Sequence, residues 1–419
     1  MKVVLMAGGK GTRISSIASD IPKPMINIGG KPVLEIEIEY LRDQGFKDII
    51  ITVSHLGQKI IDYFGDGSKF GVSIAYFYED TPLGNAGALL KIKEELTDTF
   101  LLINADVLFS VDFKKMIQFH NEKGGLATIF THPNSHPYDS GLIIVNDDGL
   151  VTKWLSKEED RPQWYKNRVN AGIHILNKKV LNSINELSFP NGKIDLDRDI
   201  LRPLQGTGKL FAYDSPEYVK DMGTPERYAT VTNDYKKGLV SKKNLGVKQK
   251  AIFLDRDGVI NRYVGFLTNI DDFELVEGIE EAIHKINLSG YLAIVVTNQP
   301  VIARGEVTFN QLETIHNKME TLLGKKGAYL DAIYFCPHHP HGGYEGEVKE
   351  LKMECACRKP KPGMLLKAAE EYNIDLSQSW MIGDEESDVA AGKAAGCNTI
   401  KIEKDHDIRD IISDIVGAY

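Results

Sequence analysis

Short apolar runs, several of which stop at glycine, asparagine or aspartate, recur along the whole chain, separated by amphipathic stretches. KVVLMAG, DIIITVS, SIAYFYE and TFLLINAD lie in the first half; AIFLD, YLAIVVTNQ, AIYFC, SWMIGD and CNTIKI lie in the second. Runs this short and continuously apolar read as strands buried on both faces, and the amphipathic pieces read as the helices that cover them. PVLEIEIEYLRDQG is such a helix, with Pro32 at its start, Gly45 at its end, and Leu34, Ile38 and Leu41 on one face. Further helices are predicted near residues 278–289, 308–323, 362–373 and 385–396. GLIIVNDDGLVTKWL, with two apolar runs around Asp-Asp-Gly, predicts a hairpin. The pattern is that of an α/β protein with mostly parallel sheets and an antiparallel excursion in the first half.

A chain of 419 residues is too long for one ordinary domain. Its texture changes at Tyr235–Lys250, YKKGLVSKKNLGVKQK, which is basic and short of large apolar residues. We read this as a linker. The expected division is a first domain over 1–236, a linker over 237–249 and a second domain over 250–419. There is no internal repeat. A formal charge of -9 argues against a nucleic-acid partner and leaves small phosphorylated ligands, which need only a local positive pocket. The apolar N-terminal run is too short for an export signal, and no window is long enough to span a bilayer. No membrane partner is expected, the cytoplasm is the expected compartment, and a homo-oligomer is compatible with the sequence.

In the first half, AGGKGTR follows the first strand. Gly8, Gly9 and Gly11 let backbone N–H groups approach phosphate oxygens, and Arg13 adds a cationic fork. IPKPM presents Lys23 stiffly between prolines. TPLGNAGAL carries Gly84 and Gly87 in a turn that opens a helix. LLINAD ends a strand with Asp106, where a carboxylate can hold Mg²⁺; NAGIHIL and VKDMGTPERY bring Asn170 and Asp221.

In this order, over nearly all of Met1 to Tyr235, these motifs resemble the sugar-phosphate nucleotidyltransferase family. The resemblance implies a Rossmann-like fold with a mixed sheet. It also implies in-line attack of a sugar-1-phosphate oxygen on the α-phosphorus of an NTP, with loss of pyrophosphate. Such chemistry is mainly positioning and charge neutralisation. By the same resemblance, Arg13 and Lys23 neutralise the triphosphate, Asp106 and Asp221 hold Mg²⁺, and Gly84 and Gly87 approach base or sugar. Asn170 binds substrate, and Lys157, in WLSKEED, grips the sugar phosphate. The chain departs from the family with Ser156-Lys157-Glu158 in place of Glu-Lys-Pro, Ala105 before the metal aspartate, and Asn85 in place of threonine.

In the second half, AIFLDRDGVIN ends a strand with Asp255 and then Asp257. VVTNQ ends another with Thr297 and Asn298. CRKPKPGM carries Arg358 and Lys359, and MIGDEESDVAAG carries Asp384 and Asp388. These resemble the motifs of the haloacid dehalogenase superfamily, which implies a parallel-sheet fold. In that scheme Asp255 attacks the phosphoryl group, and Asp257 protonates the leaving alcohol and later activates water. Thr297 and Lys359 stabilise phosphoryl charge. Asp255, the Asp257 main chain and Asp384 hold Mg²⁺. Asp388 is either an orienting residue or a helix-surface acid.

Three of the chain's 4 cysteines fall between residues 336 and 357, and the fourth is Cys397. Cys336-x-His338 and Cys355-x-Cys357 offer soft ligands in two tight pairs, which suits tetrahedral, structural Zn²⁺. The alternatives are His339 or His341 in place of His338, or an exposed loop of reduced cysteines. Cys397 reads as a buried strand-edge residue. Within the superfamily the loop resembles the zinc-binding D,D-heptose 1,7-bisphosphate 7-phosphatases, with histidinol phosphatases as the nearest competitor. By that pattern Asn298 and Arg358 contact substrate and Tyr263–Phe266 closes over it. Pro300-Val301 stands where Ser-Gly is usual, and Glu385 stands where a lysine is common.

The fusion is itself informative. Taking the 7-phosphate from a heptose 1,7-bisphosphate leaves a heptose 1-phosphate, which the first domain would activate with an NTP. We therefore expect a bifunctional enzyme making an NDP-heptose, with GTP as the nucleotide donor. The alternative is a mannose- or glucose-1-phosphate nucleotidyltransferase joined to a histidinol-phosphatase-like domain. Retention of Asp106, Asp221, Asp255, Asp257 and Asp384 argues against a non-catalytic sensor.

Overall fold

The computed structural model describes residues 1–9, 20–184, 189, 192–403 and 407–417. Gly11 and Arg13 lie outside them. The chain forms two compact units, and neither is contiguous in sequence. The first comprises Met1–Thr131, Ile143–Trp154 and Asn170–Asn244; the second comprises His132–Leu142, Leu155–Val169 and Leu245–Tyr419. Two segments expected in the first domain therefore fold with the second unit. A buried ion pair is the physical reason. Arg168 Nη1 lies 3.2 Å from Glu320 Oε1, and Arg168 Nη2 donates to the Asp331 carbonyl at 2.8 Å. Thr321 adds hydrogen bonds to the Tyr165 backbone.

The stretch read as a linker is partly structured. Leu239–Lys242 is a short helix with Leu239 and Val240 buried. Val240 packs with Ile28, Val33 and Leu108 of the first unit. The many lysines around this apolar pair hid it in the sequence.

In the first unit a nine-stranded mixed sheet is built around Lys2–Met6. That strand pairs in parallel with Asp48–Val53 on one side and Thr99–Asn104 on the other. Ser73–Tyr78 extends the first side in parallel. Val169–Asn177 runs antiparallel to Thr99–Asn104, and the predicted hairpin of Leu142–Val145 and Val151–Leu155 lies beyond it. The predicted helix forms as Val33–Asp43, with Leu34, Ile38 and Leu41 fully buried. Between Lys2–Met6 and Thr99–Asn104 the strand order reverses direction. Parallel sheets open a crevice at the carboxyl ends of strands flanking such a reversal. Gly8, Gly9 and Asp106 follow these two strands.

The second unit repeats that logic with a five-stranded, wholly parallel sheet. Its order is Ala332–Cys336, Tyr291–Asn298, Lys250–Leu254, Trp380–Gly383, Asn398–Lys401. Here the order reverses between Lys250–Leu254 and Trp380–Gly383, so Asp255 and Asp384 emerge side by side. The predicted helices form as Ile279–Asn287, Phe309–Gly324, Gly363–Glu371 and Glu386–Ala395. A further helix, Ile408–Val416, buries Ile408 and Ile412. Among the described residues no helix is long and apolar enough to cross a membrane.

Candidate active sites

In the first unit, Lys23 sits on a helical turn, Lys23–Met25, that Pro22 leads into. Its ammonium pairs with the Asp106 carboxylate. Tyr218–Asp221 runs antiparallel to Val107–Ser110 with Asp221 opposite Val107, and the Met222 N–H donates to the Asp106 carbonyl. This brings the two predicted metal-holding acids together around one lysine. Burial works to raise the Asp221 pKa, but Arg227 at 3.1 Å, a backbone N–H from Gly223 and nearby Lys23 hold it below its ordinary value. An acid that the motifs did not flag, Glu37, is buried behind this site. Burial and then Asp106 push its carboxyl well up.

Gly84 has φ +84°, and a Cβ there would fall on the backbone of Ile194; one on Gly87 would meet the Gly192 carbonyl at 2.9 Å. Both glycines are needed by the fold itself. The Asn170 amide donates to Asp197 at 3.3 Å, while its carbonyl oxygen receives the Gly172 N–H and lies 3.1 Å from His174 Nε2. Lys157 falls in a segment of the second unit, half exposed, 3.4 Å from Asp139.

In the second unit the site is denser. Lys359 is buried, with its ammonium 2.8 Å from Asp255 and 2.6 Å from Asp388, and it donates to the Val296 carbonyl at 2.9 Å. Burial alone would lower its pKa, but the two carboxylates outweigh that and raise it. Asp255 is raised by burial, with Lys359 opposing and Asp388 adding to the rise. Burial and then Asp255 push Asp384 up to about 6. Asp388 is no surface acid. It is buried, pairs with Lys359, and accepts the Glu385 N–H at 3.0 Å as part of a helix capping box. Asn298 clamps the lysine's backbone, accepting the Lys359 N–H at 3.0 Å and donating to its carbonyl at 3.1 Å. Its side chain thus positions Lys359. The Asp257 carboxylate is turned to Arg256, Gln299 and Asn261.

The carboxylates of Asp255, Asp384 and Asp388 converge within 4.8 Å, as do the donor atoms of Cys336, His338, Cys355 and Cys357. In the second set the sulfur–sulfur and sulfur–Nδ1 separations run from 3.2 to 3.6 Å. Sulfurs bound tetrahedrally at 2.3 Å would be roughly 3.8 Å apart, so the cluster is about the size of a zinc site. Burial pushes the Cys336 and Cys357 thiols up. His339 instead lies 3.0 Å from the His341 carbonyl. Immediately after this knot Arg358 donates to the His338 carbonyl at 3.2 Å. Earlier in the loop, Tyr344 stacks on Arg304, which also lies over the Phe266 ring at 4.1 Å and pairs with Glu306 at 2.7 Å; Phe266 is exposed. Pro300-Val301 opens the turn bearing Arg304, and Val301 is buried with Ile302, Val307 and Leu312.

Residues 2–238 match the nucleotidyl transferase family, and residues 356–415 match the HAD-hydrolase-like family. A UTP–glucose-1-phosphate uridylyltransferase of Synechocystis sp. is 37% identical over 226 residues, covering 50% of this chain. The chain spans 57% of that relative's length. The D-glycero-beta-D-manno-heptose-1,7-bisphosphate 7-phosphatase of Escherichia coli K12 is 45% identical over 149 residues, 36% of this chain and 76% of that protein. Among solved structures, HddC from Yersinia pseudotuberculosis aligns with 30% identity and a TM-score of 0.48 over 56% of this chain and 99% of its own.

Proposed function

The chain belongs to the nucleotidyl transferase family over residues 2–238 and, through its C-terminal part, to the D-glycero-β-D-manno-heptose-1,7-bisphosphate 7-phosphatase family; from that footing we propose that it is a bifunctional enzyme of sugar-nucleotide synthesis. Its second unit removes the 7-phosphate of a heptose 1,7-bisphosphate. Its first unit transfers a nucleotidyl group, GMP from GTP, to the resulting heptose 1-phosphate. The observation that carries this reading is the pairing of the two families on one chain, because the product of the reaction proposed for one is the acceptor of the reaction proposed for the other.

For the phosphatase, an Asp255 carboxylate oxygen attacks phosphorus and the ester P–O bond breaks. The leaving oxygen takes the proton of Asp257. Water then adds to phosphorus, its proton passes to Asp257, and the bond to Asp255 breaks to free inorganic phosphate. Lys359 and Thr297 stabilise phosphoryl charge from a buried position. Lys359 also keeps Asp255 usable as a nucleophile, since it opposes the effect of burial. Asp255, Asp384 and the main chain of Asp257 would hold Mg²⁺, which supplies further charge neutralisation. The buried carboxylate cluster, with Asp384 raised, fits a dication. Cys336, His338, Cys355 and Cys357 would hold a structural Zn²⁺, which cross-links the loop that carries Arg358.

For the transferase, Lys23 supplies positive charge beside Asp106 and Asp221, which would hold Mg²⁺. Glu79 is a buried carboxylate lying against Gly8, with the Leu83 N–H on its second oxygen. An acceptor of this kind suits guanine, which offers two donors on one edge. Uridylyl transfer to glucose 1-phosphate is the second reading, favoured by the 37%-identical relative's name.

Incubation with heptose 1,7-bisphosphate and each NTP, following phosphate and pyrophosphate release, tests the proposal. We expect phosphate first, then pyrophosphate only where an NTP is present, and fastest with GTP. No phosphate release from the bisphosphate would end the heptose reading, and pyrophosphate release with glucose 1-phosphate and UTP alone would establish the second.

A further inference from the structure

Arg256 lies between the two aspartates of the DRD motif, and none of the expected roles uses it. Its side chain is fully buried. It grips the neighbouring carboxylate: Nη2 donates to Asp257 Oδ2 at 2.8 Å and Oδ1 at 2.9 Å, and Nε donates to Oδ1 at 3.2 Å. Gln299 closes a ring with this pair. Its carbonyl oxygen accepts from Arg256 Nη2 at 3.0 Å, and its amide donates to Asp257 Oδ2 at 2.8 Å. Asn261 adds a donor to Oδ1 at 3.0 Å.

The far side of the guanidinium is held as well. Arg256 Nη1 lies 3.3 Å from His316 Nε2 on the Phe309–Gly324 helix. Arginine can only donate, so Nε2 is the acceptor and the ring proton sits on Nδ1. Burial, and then the charge of Arg256, lower the His316 pKa well below its ordinary value, in keeping with a permanently neutral ring. The Phe335 ring edge packs against the imidazole at 5.7 Å, and a capping box at Thr308 and Gln311 fixes the start of its helix.

We infer that Arg256, backed by His316 and Gln299, is a positioning device that fixes the orientation of the Asp257 carboxylate for its proton transfer with the leaving oxygen. The inference rests on the reading of Asp257 as the acid of the phosphatase step. Arg256 and Asn261 belong to the same strand-end loop as Asp257, whereas the Gln299 amide and the His316 imidazole come from two other elements. A carboxylate on a loop that is gripped by a bidentate fork has little rotational freedom, and catalysis by proton transfer is sensitive to displacements of about 1 Å.

The test separates positioning of an acid from general loss of structure. A leaving group such as 2,4-dinitrophenolate needs no proton, whereas an alkoxide does. Single-turnover rates of phosphoenzyme formation would be measured with 2,4-dinitrophenyl phosphate and with an alkyl phosphate ester. Arg256→Lys and His316→Leu are expected to slow the alkyl ester by about 10- to 100-fold, with the dinitrophenyl ester within about 3-fold of wild type. His316→Gln, which keeps an acceptor facing Arg256, should recover most of the alkyl-ester rate. Equal slowing of both esters, or no slowing of either, overturns the inference. Should Arg256→Lys fail to fold, the two His316 variants decide the matter. Asp257→Asn is the control for the underlying reading: if it too slows both esters equally, the acid role itself falls, and the inference with it. None of these outcomes depends on whether the natural substrate is a heptose.

Discussion

Replacing Lys359 by methionine removes the ammonium that bridges Asp255 and Asp388 and leaves two buried carboxylates facing each other. Stripping one partner from a buried pair typically costs about 3–5 kcal/mol. Here the loss has a ceiling that can be worked out. The variant can always take up one proton on Asp255, which restores the net charge of the cluster to that of the wild type. From an ordinary carboxylate value near 3.9, that costs about 5 kcal/mol at pH 7.5 but only about 1.5 kcal/mol at pH 5. The sign follows from linkage. In the variant the folded-state pKa of Asp255 is raised above its unfolded value, so the variant's deficit is small in acid and grows as pH rises. We expect Lys359→Met in EDTA to lose about 3–5 kcal/mol against wild type at pH 7.5 and no more than about 1.5 kcal/mol at pH 5. Because the chain has two units, the readout is hydrogen exchange at the amides of Lys250–Leu254. Turnover of phosphate esters should fall by about 10²–10³. A deficit that is the same at both pH values, or below about 1 kcal/mol at pH 7.5, would refute the idea that this lysine compensates buried charge.

Cys355→Ser should cost one equivalent of zinc by metal analysis and lower phosphatase kcat/KM, while nucleotidyl transfer is unchanged; equal zinc in both proteins removes the site. Asp384, at about 6, must lose its proton before a dication binds, so Mg²⁺ affinity by calorimetry should fall by up to about tenfold per pH unit below pH 6 and level off above it. A flat affinity from pH 5 to 8 contradicts that. Arg168→Met removes the guanidinium that faces buried Glu320 and should destabilise the second unit by about 3–5 kcal/mol in the same hydrogen-exchange measurement. A loss under about 1 kcal/mol would mean that water reaches the pair.

Most of the elements could be read from the chain because their signals are local. A short apolar run needs cover on both faces wherever it sits, and an aspartate that ends such a run emerges at the carboxyl end of its strand. Thus Asp106, Asp255 and Asp384 were identifiable, and so were the cysteine pairs, which carry their spacing with them. Asp388 was not resolved, because nothing local separates a surface acid on a helix from one that a distant lysine draws inward. The clamp of Asn298 on Lys359 gave no local signal either, because its partner is the backbone 61 residues away. Glu37 and His316 gave no signal beyond their place on the buried side of an amphipathic helix.

What the sequence by itself determined is therefore the α/β class, the two series of strands, and the side chains at the strand ends. Tertiary structure alone decided how those side chains are used. The strand-order reversal brings Asp255 and Asp384 together, and burial then sets the charge balance among Asp255, Asp384, Asp388 and Lys359. It also redrew the units, since Arg168 and Glu320 are far apart in sequence and only desolvation in a shared interior makes their pairing obligatory.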